Sequence, residues 1–460
     1  MAEALKPSPL QSNLQHLTDD IGGRVPGTPP MEQAVEWAQE AFRAAGGENV
    51  HAEKFQIPQS WAEGQTRFSV QSPLEFSLHA VSVGWAPPLR PLRHVHVVDV
   101  KDGTRDDFLR AGNIAGSIVL VHGKVIQTWE DLNEEYNRVP PIIQSAVRGR
   151  AAAIAWIAER DRDLLYRHTD TQTGELEPIS QVIVAREEGL RIARLLNSGR
   201  QVYANLEVPN QVGGPLTTAN VVAEIRGSEH PEQFVVLGAH LDSWELGTGA
   251  LDNGCNAAMV IDALRAIRAS GVQPKRTVRF VLFSGEEEGL LGSEAYAREH
   301  RPELDNALSA VIFDSGSGRV TGFTLSGRTD LAGAARDLMS PLQQMGAAEV
   351  TQEADMGTDN FDFVLEGVPT LVANQEPANY MQNYHAMSDT FDKVDLGNLR
   401  KEVAEAAAVV VGIANAPQRF GTRQDRAQVE QLLHDTHLEG TMKLNGVWTA
   451  WESAQRGRTR

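Results

Sequence analysis

From Asn220 onward, short apolar runs alternate with longer segments whose apolar residues recur every three or four positions. Val221–Ile225, Phe234–Ala239, Val278–Phe283, Ala310–Phe313 and Thr370–Ala373 read as strands; Val278–Phe283 is continuous enough to be covered on both sides. Asn253–Ser270 places Ala257, Val260, Ile261, Leu264 and Ile267 on one helical face. Ser293–His300, Leu331–Met345 and Leu399–Asn415 read as further helices. Such alternation predicts an α/β domain: a mainly parallel, mixed sheet covered by helices on both faces.

The first half has a different texture. Pro29 and Pro30 suit a first helical turn, Ala34, Ala38, Ala41, Phe42 and Ala45 share a face, and Gly46-Gly47 ends the helix. Residues 50–86 alternate as short strands, and Pro87, Pro88 and Pro91 mark a boundary. Beyond it lie strand patterns at His94–Val100, Ser117–His122, Ala152–Ile157, Gln181–Ala185 and Tyr203–Glu207, with a helix at Glu187–Leu196 and a linker at Gly213-Gly214-Pro215. The expected division is 1–86 as the first part of the α/β domain, 87–212 as a β-rich insertion, 213–420 as the rest of the α/β domain, and 421–460 as a helical tail. Trp448 and Trp451 are its expected packing anchors, and Arg456–Arg460 is expected to fray.

Charge narrows the functional classes. The 460 residues hold 42 Lys+Arg against 61 Asp+Glu, a net charge of −19, which opposes nucleic-acid and anionic-membrane partners. Cys255 is the single cysteine, so an intrachain disulfide and a cysteine-based zinc site are excluded. The longest apolar run, around Ala406–Ile413, is far short of the ~20 residues of a membrane helix. The residues Met1–Lys6 show no signal-peptide core, and the compartment stays open.

Several chemistries fail on inspection. There is no G-x-S-x-G elbow, Gly116 and Gly123-Lys124 lack P-loop spacing, and none of the 13 histidines is followed by Glu. His94 and His96 alternate on a strand pattern and read as packing residues. What remains is a set of acids and histidines at predicted strand ends: His240 and Asp242 after Phe234–Ala239, Asp252-Asn253 before a helix, Glu286-Glu287-Glu288 after Val278–Phe283, Asp314 after Ala310–Phe313, and His385. Taken singly, each has a structural explanation: helix-start acids, an N-cap, an Asx turn, a satisfied histidine. Taken together they could converge beyond the carboxyl ends of a parallel sheet, where ligands bind in open α/β folds. Imidazole and carboxylate suit zinc, cobalt or manganese.

With these motifs in view, the chain resembles the co-catalytic zinc exopeptidases of peptidase family M28, and within them the plasma glutamate carboxypeptidase (carboxypeptidase Q) type. The likeness is carried by Gly238–Trp244, Gly249–Gly254, Gly285–Leu290, Phe313-Asp314-Ser315, Tyr384-His385 with Asp389-Thr390, and the opening Leu17–Arg24. Residues 87–212 resemble, more weakly, an inserted protease-associated (PA) domain. The resemblance implies the zinc-exopeptidase fold and a pair of Zn2+ ions, with cobalt or manganese as substitutes. It implies that His240 and Asp314 hold one metal, Glu287 and His385 the other, and Asp252 both. Glu286 would be the general base acting on a water between the metals, and Asp242 would orient His240. A cis peptide would follow Asp252. The second Asp common in the family at the next position is Asn253 here.

The implied activity is hydrolysis of peptides or dipeptides near a chain end, of aminopeptidase or dipeptidase type. The alternatives are an acyltransferase of glutaminyl-cyclase type and a receptor-like binding protein that has lost its ligands. The loop Met356–Asn360 precedes a predicted strand and is expected to line the pocket, with Asp359 as partner of a substrate ammonium group. Related proteins are mostly secreted or periplasmic, and a homodimer is compatible with the sequence.

Overall fold

The apolar runs pair into one eight-stranded sheet. Its strands are β1 (Glu48–Ile57), β2 (Leu216–Ile225), β3 (His230–His240), β4 (Arg276–Phe283), β5 (Ala307–Ile312), β6 (Val320–Thr324), β7 (Glu349–Thr351) and β8 (Thr370–Gln375). Their order is β1-β2-β4-β3-β5-β8-β6-β7. The central strands β4, β3, β5 and β8 are parallel, whereas β2 and β6 join antiparallel. The sheet is therefore mixed with a parallel centre, as the alternation predicts.

Period-two side-chain alternation assigns the faces. Val235, Leu237 and Ala239 of β3 pack into a core with α1 (Pro29–Ala44), α2 (Cys255–Ala269) and α4 (Leu396–Asn415). Phe234 and Val236 point the other way, toward Tyr296 of α3 (Leu291–His300) and Phe363. Each fully buried Val, Leu or Phe is worth about 1.5–3 kcal/mol, so the strands are held firmly from both sides. In register, His240 pairs with Phe283 and Gly238 with Ile312, so β3, β4 and β5 end on one edge of the sheet.

The computed structural model describes residues 1–459, and it divides into two compact units. The first holds Met1–Gln56, Thr217–Tyr380 and the residues from Asp389 onward; the second holds Ile57–Leu216 and Met381–Ser388. The second unit has its own eight-stranded sheet, in which Leu89–Asp99, Ile118–Val121, Ala153–Ile157 and Gln181–Val184 run parallel. It starts thirty residues before the expected boundary at Pro87. The reason is pairing: Arg67–Ser72 pairs with Tyr203–Val208, and Ala80–Ser82 pairs with Gln181–Val184. This unit also contains a helix at Trp129–Arg148, which has no counterpart among the expected elements and runs through Pro140-Pro141, residues that disfavour a helix interior. A capping box between Thr128 and Asp131 starts that helix.

Two expectations in the first unit need correction. The helix expected over Leu331–Met345 ends at Met339, and Ser340–Met345 is a 3-10 turn, because Pro341 has no N–H to continue the α-helix. The chain around Arg456 is not frayed: Arg456 is 4% exposed. Its Nε and Nη2 donate to both Asp362 oxygens at 2.8 and 2.7 Å. The tail helices Arg426–Asp435, Leu438–Leu444 and Trp448–Glu452 form a small core in which Trp451 is buried with Leu290, Phe361 and Leu365.

That ion pair ties the tail to the sheet domain. Arg456→Met should lower unfolding free energy by about 3–5 kcal/mol, since Asp362 is left buried without its cation. Urea denaturation checks this, and an unchanged midpoint would mean that the tail is not anchored there.

Candidate metal centre

Three adjacent parallel strands deliver their last residues to one place. β3 ends in His240; β4 runs into Ser284-Gly285-Glu286-Glu287-Glu288; β5 runs into Phe313-Asp314. The turn Ala250–Gly254, which opens α2, supplies Asp252 through a cis Asp252–Asn253 bond, as the family resemblance implies. His240 Nε2 lies 2.9 Å from Asp314 Oδ1, 3.2 Å from Asp252 Oδ1 and 4.0 Å from Glu286 Oε2. One ligand atom each from His240, Asp252 and Glu287 falls within 4.8 Å of the others.

The surroundings fix these side chains. His240 Nδ1 meets the main-chain carbonyl of Asp242 at 3.0 Å, and the Asp242 carboxylate lies 3.6 Å away. That carboxylate also accepts the Glu287 N–H at 3.2 Å, so Asp242 links the β3 and β4 loops. Asn253 donates through Nδ2 to Asp314 Oδ1 at 2.8 Å and to the Phe313 carbonyl at 3.0 Å. An amide at this position can make both donations, whereas an ionised Asp could make neither.

Electrostatically the cluster is unbalanced. Burial raises the proton affinity of Glu286 well above the carboxylate range, opposed by His240 and reinforced by Asp314, Glu287 and Asp359. Burial likewise raises Asp314 and, beside Asp242 and Glu287, Glu288. His240 goes the opposite way for its type. Burial disfavours the imidazolium, yet Asp314, Glu286, Asp242 and Asp252 together hold it well above its ordinary value. Buried carboxylates that outnumber their buried counter-charges, the His240 imidazole and the Arg24 guanidinium, are a donor set that a divalent cation fits.

Asp359, the residue expected near the substrate, is fully buried, and its charge acts on Glu286. His385 is placed differently from the others in the chain's architecture, because Met381–Ser388 belongs to the second unit. There its carbonyl accepts the Arg167 N–H at 2.9 Å, and Tyr384 shares a phenol hydrogen bond of 2.7 Å with Tyr136. Sequence reasoning assigned no role to Arg24 or Asp389, although both lie in motifs it singled out. Their signal was present, but contacts across more than 200 positions for Arg24 and more than 130 for Asp389 leave no local pattern.

Residues 220–411 match peptidase family M28. The chain carries an M28 peptidase domain. Outside the matched residues the likeness continues: bovine carboxypeptidase Q is 28% identical over 405 residues, covering 85% of this chain and 82% of that protein. Human carboxypeptidase Q is also 28% identical over the same length. The M28 peptidase precursor of Shewanella amazonensis superposes with a TM-score of 0.83 at 25% identity, covering 92% of this chain and 97% of that one. A zinc aminopeptidase from Bacillus subtilis shares the fold, with a TM-score of 0.66 at 18% identity over 88% of this chain and 92% of its own.

An M28 centre of buried acids should couple cation binding to stability. Ligand at about 1,000 times its Kd adds about 4 kcal/mol. Chelator-treated protein should therefore melt several degrees below zinc-loaded protein, reversibly. Coincident melting curves would show that the cluster holds no metal.

Proposed function

We propose that the protein is a zinc-dependent exopeptidase that binds a pair of zinc ions, for which cobalt or manganese can substitute. In this reading His240 and Asp314 hold one ion, Glu287 and His385 the other, and Asp252 both. The observation that carries it is the convergence of His240, Asp252 and Glu287 within 4.8 Å at the ends of parallel strands. Zinc, when bound, supplies Lewis-acid polarisation of the scissile carbonyl and acidifies the attacking water.

The chain's own residues supply the rest. Glu286 is the general base: its carboxylate takes the proton from water and passes it to the leaving amine. Burial, which raises its affinity for that proton, suits it to both halves of the transfer. Asp242 holds His240 through its carbonyl and the Glu287 amide through its carboxylate, keeping two ligand-bearing loops in register. Asp359 pairs with the ammonium group of a substrate that has a free amino terminus. Residues 87–212, which lie within the second unit, are read as the PA-like insertion. The substrate class is peptides cleaved near a chain end.

Glu286→Gln keeps the shape and removes the proton acceptor. Turnover of dipeptides and aminoacyl-naphthylamides should fall at least ~100-fold while zinc content is unchanged. Glu287→Gln should instead release zinc. Equal metal loss in the two variants would mean that Glu286 is itself a metal ligand and not the base alone, and hydrolysis of N-blocked peptides alone would remove Asp359 from the pocket.

A further inference from the structure

Two motif residues that the proposed reaction leaves unused meet at one turn. Arg24 closes the opening motif Leu17–Arg24, and Asp389 follows the His385 motif. Both are buried, at 0% and 3% exposure. Apart from Gly22, the residues Arg24 bonds lie more than 200 positions away. Its Nε donates to the Leu241 carbonyl at 2.6 Å. Its Nη1 donates to the carbonyls of Gly22 and Thr248, and its Nη2 to that of Gly249, each at 2.8 Å. The Arg24 amide meets the Ser243 hydroxyl at 3.1 Å. The planar fork thus spans both arms of the loop that leaves at His240 and returns at Asp252.

Asp389 holds the same turn from its opposite pole. Its Oδ1 accepts the Leu251 N–H at 2.7 Å and its Oδ2 accepts the Asp252 N–H at 3.1 Å. Its carbonyl accepts the Thr248 N–H at 2.8 Å. The turn therefore presents carbonyls to a cation and amides to an anion. Charge-assisted bonds of this kind are shorter and stronger than neutral ones, and they fix direction as well as distance. Steric fit agrees: Gly249 has φ +58°, and a Cβ there would lie 2.2 Å from Ser243 Cβ and 2.9 Å from Arg24 Nη2. The turn has no room for a side chain at this residue, and Asp252 is three residues further on.

We propose that Arg24 and Asp389 form a two-sided clamp on the Thr248–Asp252 turn, and that they are positioning residues for Asp252. This rests on the reading of Asp252 as a metal ligand. Neither residue touches substrate. An arginine is required because a lysine ammonium cannot reach the Leu241, Thr248 and Gly249 carbonyls on both arms at once. Two acceptor oxygens are required at 389, because an Asn there would turn an N–H against an N–H.

The test uses the full chain. Zinc affinity of the wild type, Arg24→Lys and Asp389→Asn is measured by chelator competition, with circular dichroism as a folding control, and the visible spectrum of each cobalt-substituted protein is recorded. Each variant should bind zinc at least ~10-fold more weakly, on the scale seen for groups behind metal ligands, with shifted cobalt bands. The double variant should lose less than the product of the two, since both act on one turn. Folded variants with wild-type affinity and wild-type cobalt bands would overturn the clamp. If both variants fail to fold, amide exchange on the wild-type apoprotein decides. Leu251 and Asp252 amides should exchange as slowly as those of Phe280–Phe283, and exchange at loop rates would overturn the proposal. A wild type that binds no zinc would instead refute the exopeptidase reading, leaving the exchange result to judge the clamp alone.

Discussion

Repulsion among buried carboxylates is the constraint on which the rest depends. Asp252, Glu287, Asp314 and Glu286 surround a single imidazole in a region withdrawn from water. Two like charges about 4–5 Å apart cost about 3–4 kcal/mol at an effective dielectric of about 20, before desolvation is counted. Without a cation, protons must stay on some of these acids, and burial pushes Glu286, Glu288 and Asp314 in that direction. With a divalent cation the same arrangement becomes favourable. The cluster is thus costly as bare protein and suited to metal.

A structure that concentrates charge in this way needs a stiff support. The support is the parallel centre of the sheet, whose strand ends are level because β3 pairs in register with both β4 and β5. Apolar side chains cover each face of β3, so backbone adjustments that would relieve the repulsion are resisted by packing. The loops are then fixed by polar contacts: Asp242 to the Glu287 amide, Asn253 to Asp314, Arg24 and Asp389 to the turn before Asp252.

Much of this was legible in the sequence for definite physical reasons. Continuous apolar runs reveal buried strands, and the residues just past them are the ones a parallel sheet gathers at one edge; that is why His240, Glu286, Glu287 and Asp314 could be picked out together. The rest was hidden where local pattern and tertiary contact disagree. Pro140-Pro141 masks the helix Trp129–Arg148, whose first turns are set by a capping box and whose apolar face includes Leu132, Val139 and Ile142. Pro87 suggested a boundary, while strand pairing places residues from Ile57 onward in the second unit. The chain near Arg456 looked like a polar tail because Asp362, its partner, is 94 positions away. Arg24 and Asp389 stood inside recognisable motifs, yet their purpose exists only in the contacts they make with a turn distant in sequence.

The central claim is that the buried acids are balanced by transition metal and that hydrolysis needs it. Elemental analysis of purified, active protein, combined with peptidase assays before and after chelation, tests this most directly. The account predicts about two zinc equivalents per chain, loss of hydrolysis with loss of metal, and recovery on adding zinc. Full peptidase activity in protein free of any transition metal would contradict it.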